Sequence, residues 1–531
     1  MGRQQSRALG ALLLALALAC ASGVHAELDV CNNMKIYILD IADFAEEKGY
    51  PKCHLNETVA VDANLGIAYL RIGEHDPELP NKPLYYSVHS KFGTHAAPWH
   101  LAEAIKTSNC SVSTMEEAHL VYVYDYCYYI WWVARRHSLQ GDYSIPENHP
   151  VRTEPQPGEY LLKAWKAVFE LPRFRRTHGR DFIFYDAHPG FVEGQIGHAF
   201  HDAQCNEMRR SVQLLVDLPQ RSFCQDYWNM RTLIITPNNP SVVNIDYPDI
   251  EDTFKRPRVP LSERNTLLYF SGTCGNWENM GKTYRRKVAL ALNASAPHVQ
   301  ESSVACSDKF LNGTHKEFVQ MLTEMEHSKF CLVLPGDSQS TRRLSEIFMA
   351  GCIPVFVGAP FNSMPLAGSI DYASVAVVFN VTNTSAWLPE PMQWNLSEQG
   401  HATYATDAQW WLPDAPVNNF AISVPNVEAI WDHLTNMPAA EIQKKADLMH
   451  NYRFYMTFNE NLSGEQHAVH QILKSIFWRR QKHVATFKKV DCCLHACFKT
   501  DRGAYPNNCS GAQGARYLTG QQANGSIAET G

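Results

Sequence analysis

Short apolar runs rich in Val, Ile, Tyr and Phe recur along the chain, between segments whose apolar residues follow a helical spacing. Runs of this kind are typical of strands buried on both faces of a parallel sheet. The pattern therefore predicts an α/β protein with one parallel sheet in each half of the chain. The predicted strands are Ile36–Ile41, Leu120–Tyr124, Phe182–Tyr185, Leu233–Thr236, Leu267–Phe270, Phe330–Leu334, Ile353–Val357 and Val375–Phe379.

Prolines mark the boundary between the two halves. Residues 237–262 contain five prolines among charged residues, and such a stretch continues neither a helix nor a central strand. We therefore predict a linker there, between one domain over 27–236 and a second over 263–488. A helical segment over Ala439–Trp478 closes the second domain. The Cys- and Gly-rich tail, 489–531, lacks apolar periodicity and is predicted to be partly disordered.

The first 26 residues have the layout of a secretory signal. Arg3 and Arg7 precede an apolar run over residues 8–21, and Val24 and Ala26 stand before a possible cleavage point. The run has 14 residues, fewer than the roughly 20 that a spanning helix needs. An uncleaved signal anchor is the alternative, and either form would put the folded part in the secretory pathway.

Two counts favour that compartment. Ten Asn-x-Ser/Thr sequons occur, and 14 of the 15 cysteines follow the signal segment, an even number that suits disulfides. We therefore expect a glycoprotein of the Golgi lumen or a secreted protein. Four tail cysteines could instead hold zinc, but their spacing matches no common zinc pattern and favours disulfides: Cys492, Cys493, Cys497 and Cys509.

The composition is that of a globular protein, with 45% hydrophobic and 19% charged residues. The formal charge is −7, and an acidic chain lacks the basic surface that nucleic-acid binding needs. Motifs of serine hydrolases, zinc proteases, P-loop proteins and EF-hands are absent from the sequence. No Asp-x-Asp triplet, which holds a divalent ion in many sugar transferases, occurs either. Neither a nucleic-acid partner nor a metal or other cofactor is therefore expected.

The segment 328–358 has the clearest pattern of a ligand site. A strand is followed by a turn at Gly336, a helix that Ser340 or Thr341 could cap and that ends at Gly351, and a second strand. Ligands bind such βαβ units at the carboxyl ends of the strands, where the N-terminus of the helix attracts anions.

Two side chains of that helix are candidate ligand contacts. Arg343 lies in its first turn, where the guanidinium could pair with phosphate oxygens. Glu346 follows three residues later on the same face and could accept hydrogen bonds from sugar hydroxyls. The alternative is a surface ion pair within one helix.

The block Ser328–Val355 resembles the signature of the exostosin-type glycosyltransferases, family 47 of the sugar transferases. Further blocks resemble that family over roughly residues 34–480. In the first half they are an opening strand (Met34–Asp40), an acidic pair before an aromatic strand (Glu116–Cys127) and a strand that ends in a His-containing turn (Gly179–Gly190). In the second half they are an aromatic strand with glycine (Leu267–Gly272), followed by Tyr284 and Arg285, and an Ile-Asp-aromatic element (Ile370–Tyr372).

The resemblance implies the GT-B architecture, in which two facing Rossmann-like domains enclose a deep cleft. It also implies the transfer of a sugar from a UDP-sugar to a hydroxyl of a glycan or cell-wall polysaccharide, in an inverting and metal-independent reaction. The expected partners are a nucleotide sugar and a glycan or polysaccharide acceptor, and a homodimer or a heterodimer with a related transferase is a further expectation. The implied donor-site residues are Arg343, Glu346, Gly336, Gly272 and Arg285, although a solvated basic face would also explain Arg285.

The chain departs from the family pattern near the proposed base. An inverting transferase needs a group that takes the proton of the acceptor hydroxyl. His188 and Asp186 are the candidates, with a packed histidine and a capped turn as structural alternatives. Phe182 and Pro189 stand where family members often have histidine and aspartate. The alternative function is therefore a non-catalytic exostosin-like subunit that binds or assists a related transferase.

Overall fold

The computed structural model describes residues 31, 34–41, 44, 47, 59–62, 67–71, 85–87, 97–125, 157–186, 203, 207–216, 233–237, 258–274, 280–295, 302–307, 315–334, 341–357, 364–382, 420–458 and 468–478. The strands, numbered in chain order, are β1 Ile36–Asp40, β2 Val59–Asp62, β3 Ile67–Arg71, β4 Tyr85–Ser87, β5 Leu120–Tyr124, β6 Phe182–Asp186, β7 Val212–Leu215, β8 Leu233–Ile235, β9 Thr266–Thr273, β10 Ser302–Ser307, β11 Ser328–Val333, β12 Ile353–Val357, β13 Val377–Val381 and β14 Ile422–Val424. The helices are α1 Ala97–Thr107, α2 Pro157–Phe169, α3 Pro172–Thr177, α4 Met280–Ala294, α5 His315–Glu326, α6 Arg343–Ala350, α7 Tyr372–Val375, α8 Ala429–Thr435 and α9 Ala439–Tyr452.

The first parallel sheet has the strand order β1-β5-β6-β7-β8. Asp40 of β1 lies beside Tyr124 of β5, and Val121 of β5 lies beside Phe182 of β6. All four pairings are parallel, so the last residues of the strands meet along one side of the sheet. We call this side, which includes Asp40, Tyr124 and Asp186, the first carboxyl edge.

The second parallel sheet has the strand order β10-β9-β11-β12-β13-β14. The direction of the connections changes at β9, because β10 lies on one side of it and β11 on the other. Ligands of open α/β sheets bind in the crevice outside the carboxyl ends of two strands where the order reverses. That crevice lies between the ends of β9 and β11. We call the side that includes Thr273, Val333 and Val357 the second carboxyl edge.

Apolar side chains pack on both faces of the second sheet. Phe270 of β9 belongs to a buried cluster with Val288 and Leu292 of α4. Burying a side chain of this size contributes about 2–3 kcal/mol. The preceding residue, Tyr269, faces the opposite way because successive strand residues alternate, and its hydroxyl donates to Glu324 Oε2 of α5 at 2.9 Å. Helices therefore cover both faces of this sheet.

A small antiparallel sheet lies in the chain between β1 and α1. It contains β2, β3 and β4 in that order. Val59 pairs with Leu70, and Tyr69 pairs with Ser87. The sequence did not predict these three strands.

The sequence predicted the two parallel sheets, and the structure confirms them. Each predicted strand overlaps an observed one, although Val375 belongs to α7 and the strand that follows is Val377–Val381. The segment Ala439–Trp478, predicted to be helical, contains two helical stretches in the described residues. Helix α9 ends at Tyr452, residues 453–456 form a turn, and residues 468–478 are helical again. The arrangement fits a Rossmann-like fold, and a cleft between two facing domains stays a prediction.

Contacts group Met1–Ile476 in one compact unit and Phe477–Gly531 in another. The first unit contains the strands of all three sheets. The predicted domain boundaries at 26, 237–262 and 489 stay predictions. Disulfides join three cysteine pairs in the described part of the chain, as the even cysteine count led us to expect: Cys31–Cys110, Cys274–Cys306 and Cys331–Cys352.

Candidate functional site

Helix α6 connects β11 to β12 and begins at the second carboxyl edge. The Arg343 N–H donates to Thr341 Oγ1 at 3.3 Å, so the hydroxyl of Thr341, one of the two cap candidates in the sequence, contacts the first residue of the helix, whereas Arg342 directly before the helix forms no side-chain cap. Gly351 ends the helix with φ +66°, and its N–H donates to carbonyls of the last turn. A left-handed residue at this position favours glycine. These local signals fix where Arg343 and Glu346 stand on the helix.

Arg343 and Glu346 form an ion pair that is shielded from water. Arg343 Nη1 donates to Glu346 Oε2 at 2.7 Å, and the two side chains are 13% and 0% exposed. Glu346 Oε1 accepts no hydrogen bond from the described residues, and Arg342 Nε lies 3.9 Å from it. The alternative from the sequence, an ion pair within one helix, is present, but the pair is buried rather than at the surface. A buried acceptor without a hydrogen bond costs about 1–3 kcal/mol.

Helix α5 supports this pair from the neighbouring position on the sheet. Arg343 Nη1 also contacts Met321 Sδ, which presses the guanidinium against α5. Tyr269 lies close enough to Arg343 to interact with its charge: burial raises the pKa of Tyr269, and Arg343 opposes that rise. The Arg343 guanidinium is thus held by residues of β9, α5 and α6.

Gly272 and Arg285 lie together at the end of β9. Arg285 Nη1 donates to the Thr273 carbonyl oxygen at 2.9 Å. A Cβ at Gly272 would lie 2.8 Å from Phe270 Cζ and 3.5 Å from Arg285 Nη1, so a side chain there would displace its neighbours. Tyr284, the preceding residue on α4, donates its hydroxyl to the Val357 carbonyl at the end of β12. Arg285 therefore belongs to the second carboxyl edge rather than to a freely solvated basic face.

Two disulfides fasten the strands beside this crevice. Cys331 and Cys352 join β11 to the start of β12, and Cys274 and Cys306 join the residue after β9 to β10. All four cysteines are in disulfides. The two strands that flank the crevice, β9 and β11, are therefore each crosslinked to the strand or connection on their outer side.

The first carboxyl edge carries three carboxyl groups on adjacent strands. Asp40 ends β1, Asp186 ends β6, and Asp125 directly follows β5. Asp125 is 3% exposed, and Trp165 Nε1 donates to its Oδ2 at 2.9 Å. Burial raises the pKa of Asp125 to about 7, against the lowering effect of the Trp165 hydrogen bond, and nearby Asp40 adds to the rise. Asp125 can therefore exchange a proton near neutral pH.

Sequence reasoning missed Asp125. The signal that could have found it was its position, directly after the apolar run Leu120–Tyr124, because strand ends of a parallel sheet meet at one edge. Its raised pKa comes from burial, and its hydrogen-bond donor Trp165 is 40 residues away in the chain. Of the other predicted site residues, Gly336 and His188 lie outside the described residues.

The described residues bring the predicted donor residues into two pairs, Arg343 with Glu346 and Gly272 with Arg285, at the second carboxyl edge. Asp186 lies on the first carboxyl edge, on the other parallel sheet. No group of three or more His, Cys, Asp or Glu in the described ranges is arranged to hold a metal ion. A metal-independent reaction stays a prediction.

Comparison with known proteins agrees with the resemblance found in the sequence. A family model described as the exostosin GT47 domain matches residues 30–390. The chain belongs to the exostosin GT47 family. This exostosin-family chain is 26% identical over 217 residues to the probable xyloglucan galactosyltransferase GT13 of Arabidopsis thaliana. The match covers 39% of the chain and 41% of that relative, so it spans less than half the length of either protein.

Membership of the family confirms what the blocks around Ser328–Val355 suggested. It makes the pairs at the second carboxyl edge candidates for sugar-transfer chemistry. Among the helices that the structure describes, none has the length and apolar character needed to cross a bilayer.

Proposed function

We propose that the protein transfers a sugar from a UDP-sugar to a hydroxyl group of a glycan or cell-wall polysaccharide. The observation that carries this proposal is the shielded Arg343–Glu346 pair at the start of α6, beside the crevice between β9 and β11. The Arabidopsis relative is named a probable xyloglucan galactosyltransferase, which supports a hexosyl donor and a cell-wall acceptor.

The donor diphosphate would bind at the N-terminus of α6. Free N–H groups and the positive end of the helix dipole attract an anion there. Among the described residues Arg343 hydrogen-bonds through its backbone N–H and Nη1 only, which leaves the Nε and Nη2 side of its fork for phosphate oxygens. Glu346 Oε1 would accept a hydroxyl of the ribose or of the sugar. Gly272, Arg285 and Gly336 would line the same donor site.

The acceptor would bind at the first carboxyl edge, and Asp186 or His188 would take its hydroxyl proton. The hydroxyl oxygen would then attack the anomeric carbon as the bond to the UDP oxygen breaks, with inversion. Arg343 and the N–H groups of α6 would stabilise the departing diphosphate, so no metal ion is required at this point. The secretory signal pattern, sequons and disulfides support a location in the Golgi lumen or outside the cell.

The test is a calorimetric titration of UDP into the wild-type protein and into Arg343→Ala. Charge-assisted hydrogen bonds contribute about 1.5–3 kcal/mol, so the variant should bind UDP roughly 10- to 150-fold more weakly. Arg343→Lys should recover part of the loss, because one ammonium group cannot form a two-pronged contact.

Arg342→Ala is the matched control. It removes the neighbouring arginine, whose side chain is 30% exposed, and should change the UDP affinity less than threefold. Wild-type affinity in a folded Arg343→Ala protein would contradict the donor site. Release of free UDP from UDP-sugars, measured with and without acceptor, separates an active transferase from a non-catalytic partner subunit, which would release none.

A further inference from the structure

Three of the ten sequons lie in the described residues, and they differ in structural setting. The three are Asn109, Asn293 and Asn380, and the other seven lie outside the described residues. A glycosylated asparagine must be exposed in the folded protein, because its amide carries a bulky, solvated glycan. Exposure and strand pairing therefore distinguish the sequons that can carry a glycan from those that cannot.

Asn109 is exposed in the turn between α1 and β5. The turn is held firmly: the Ile36 N–H donates to the Cys110 carbonyl at 2.7 Å, and Lys35 Nζ donates to the Asn109 carbonyl at 2.6 Å. Ile36 is the first residue of β1, so Asn109 lies at the end of the first sheet opposite the first carboxyl edge.

Asn293 is exposed in the last turn of α4. Helix α4 leaves β9 at the second carboxyl edge and returns to the start of β10, so its last turn lies at the opposite end of the second sheet. Ser295, the hydroxyl residue of this sequon, donates to the Ala291 carbonyl at 2.7 Å. This bond fixes the helix end while Asn293 stays exposed.

Asn380 has a different setting. It is a half-buried residue of β13, a strand paired with β12 on one side and β14 on the other. It lies beside Ser423 of β14 in the register. Thr382, the hydroxyl residue of its sequon, donates both its N–H and its Oγ1–H to the Val424 carbonyl, at 2.9 and 3.2 Å. A glycan on Asn380 would have to project from a face of the sheet, at a half-buried side chain of a strand that is paired on both sides.

We propose that Asn109 and Asn293 carry N-linked glycans and that Asn380 carries none. The modification joins the Asn Nδ2 to the anomeric carbon of an oligosaccharide. The bond from that carbon to a lipid diphosphate breaks, the lipid diphosphate leaves, and the amide loses one proton. Both glycans then stand at the ends of the sheets opposite the two carboxyl edges, so they do not cover Arg343 or Asp186. This inference rests on the secretory location proposed above.

The test uses the full chain, with its own N-terminal segment, made in a mammalian secretory host. The purified protein is reduced, alkylated and treated with peptide N-glycosidase F in ¹⁸O-labelled water, which converts each glycosylated Asn to ¹⁸O-labelled Asp. Peptide mass spectrometry should find the label at positions 109 and 293 and unlabelled Asn at 380. The proposal would be overturned by label at Asn380, by the absence of label at Asn109, or by the absence of label at Asn293.

Single variants test the placement of the glycans. Asn109→Gln and Asn293→Gln should each remove one glycan step on a gel, whereas Asn380→Gln should leave the mobility unchanged. Each of these variants should bind UDP with the wild-type affinity, and a tenfold loss in Asn109→Gln or Asn293→Gln would contradict glycans placed away from the site. A chain without any glycan would overturn this inference and the secretory location together, while UDP binding by the same protein would still report on the proposed donor site.

Discussion

The unmatched oxygen of Glu346 has chemical consequences at the scale of a single residue. Its side chain is 0% exposed, one oxygen pairs with Arg343, and the other accepts no hydrogen bond from the described residues. A carboxylate in this state gains from a hydroxyl donor, since a hydrogen bond to a charged group contributes about 1.5–3 kcal/mol. A ribose or sugar hydroxyl would provide that donor in the proposed complex.

We expect Glu346→Gln to weaken UDP binding by about tenfold, because the amide loses the charge on both the Arg343 side and the ligand side. Calorimetric titration with UDP and with its 2′-deoxy and 3′-deoxy analogues measures this. The wild type should bind at least one of the two analogues more weakly than UDP. The Glu346→Gln variant should bind that analogue almost as well as it binds UDP, because the contact that the missing hydroxyl made is already lost and the two losses are not additive.

Glu324→Gln is the control for that titration, because Glu324 accepts from Tyr269 and not from Arg343. It should bind UDP within about threefold of the wild type. If the substitution Glu346→Gln weakens UDP and both analogues by the same factor, Glu346 would be assigned to holding Arg343 alone.

Asp125 makes the stability of the protein depend on pH. Its pKa is about 7 in the folded chain against an ordinary 3.8. Between these values the folded chain keeps a proton that the unfolded chain has released, so stability falls as pH rises through this window and is flat above it. From pH 5 to pH 8 the Asp125 contribution should fall by about 3 kcal/mol.

Asp125→Asn should remove that fall, because the amide stays neutral and its oxygen still accepts from Trp165 Nε1. Urea unfolding at pH 5 and pH 8 gives the two free energies of unfolding for each protein. Glu117→Gln, which removes an exposed carboxyl of the same segment, is the control. An unchanged difference between the two pH values in Asp125→Asn would contradict the raised pKa.

How far the sequence predicts the site depends on the range of the contacts. The start and end of α6 follow from Thr341 and Gly351, which act within a few residues, and both were predicted. The burial of Glu346 and the raised pKa of Asp125 were not. Both depend on burial in the tertiary structure, where Arg343 contacts Met321 and Asp125 accepts from Trp165. These partners are 22 and 40 residues apart in the chain, and local spacing carries no information about such contacts.

At the scale of elements, the end of α6 is a point of backbone constraint. Gly351 has φ +66°, and a Cβ there would lie 3.4 Å from Arg258 Nε. Gly351→Ala should therefore lower the free energy of unfolding by about 1–2 kcal/mol. Urea unfolding measures the change.

Gly368→Ala is the matched control, because nothing lies within 4 Å of a Cβ at that position. Its effect should stay within about 0.5 kcal/mol. The same loss in both variants would show that the left-handed conformation at Gly351 is not what constrains the helix end.

The elements that the sequence missed have identifiable physical causes. β7 contains the buried Gln213, whose Nε2 donates to the Met208 carbonyl at 2.9 Å, and this polar residue interrupts the apolar run. β10 and β14 lie at the two edges of their sheet, where strands need fewer apolar residues. The end of α9 has neither Gly nor Pro nearby. Instead Arg453 donates to the Met349 carbonyl at the end of α6, a tertiary contact that the helical periodicity cannot reveal.

At the scale of the whole molecule, the segment directly after α9 packs on the first half of the chain. Phe458, beyond α9, lies 6.0 Å from the buried His100 of α1 between ring centroids. The Ala468 N–H donates to the Thr457 carbonyl at 2.9 Å, which fixes the start of the last helical stretch. Helix α1 of the first half and the chain after α9 are therefore packed together.

Sugar transfer by the whole protein should survive removal of divalent ions. The positive charge of Arg343 and the N-terminus of α6 would neutralise the diphosphate, a task that a metal ion performs in many transferases. Release of UDP in the presence of acceptor should be the same in EDTA as in Mn²⁺, within about twofold. Complete loss in EDTA that Mn²⁺ restores would contradict this prediction.

The crosslink between Cys331 and Cys352 also decides how the protein responds to mechanical force. The two cysteines are 21 residues apart in sequence and 5.9 Å apart between Cα atoms. When the chain is pulled from its ends, tension passes through the sulfur bridge and bypasses α6. At about 3.3–3.6 Å per residue, roughly 70 Å of contour length stays hidden until a reductant opens the bridge. The helix that carries Arg343 and Glu346 therefore bears no load while the rest of the sheet is stretched.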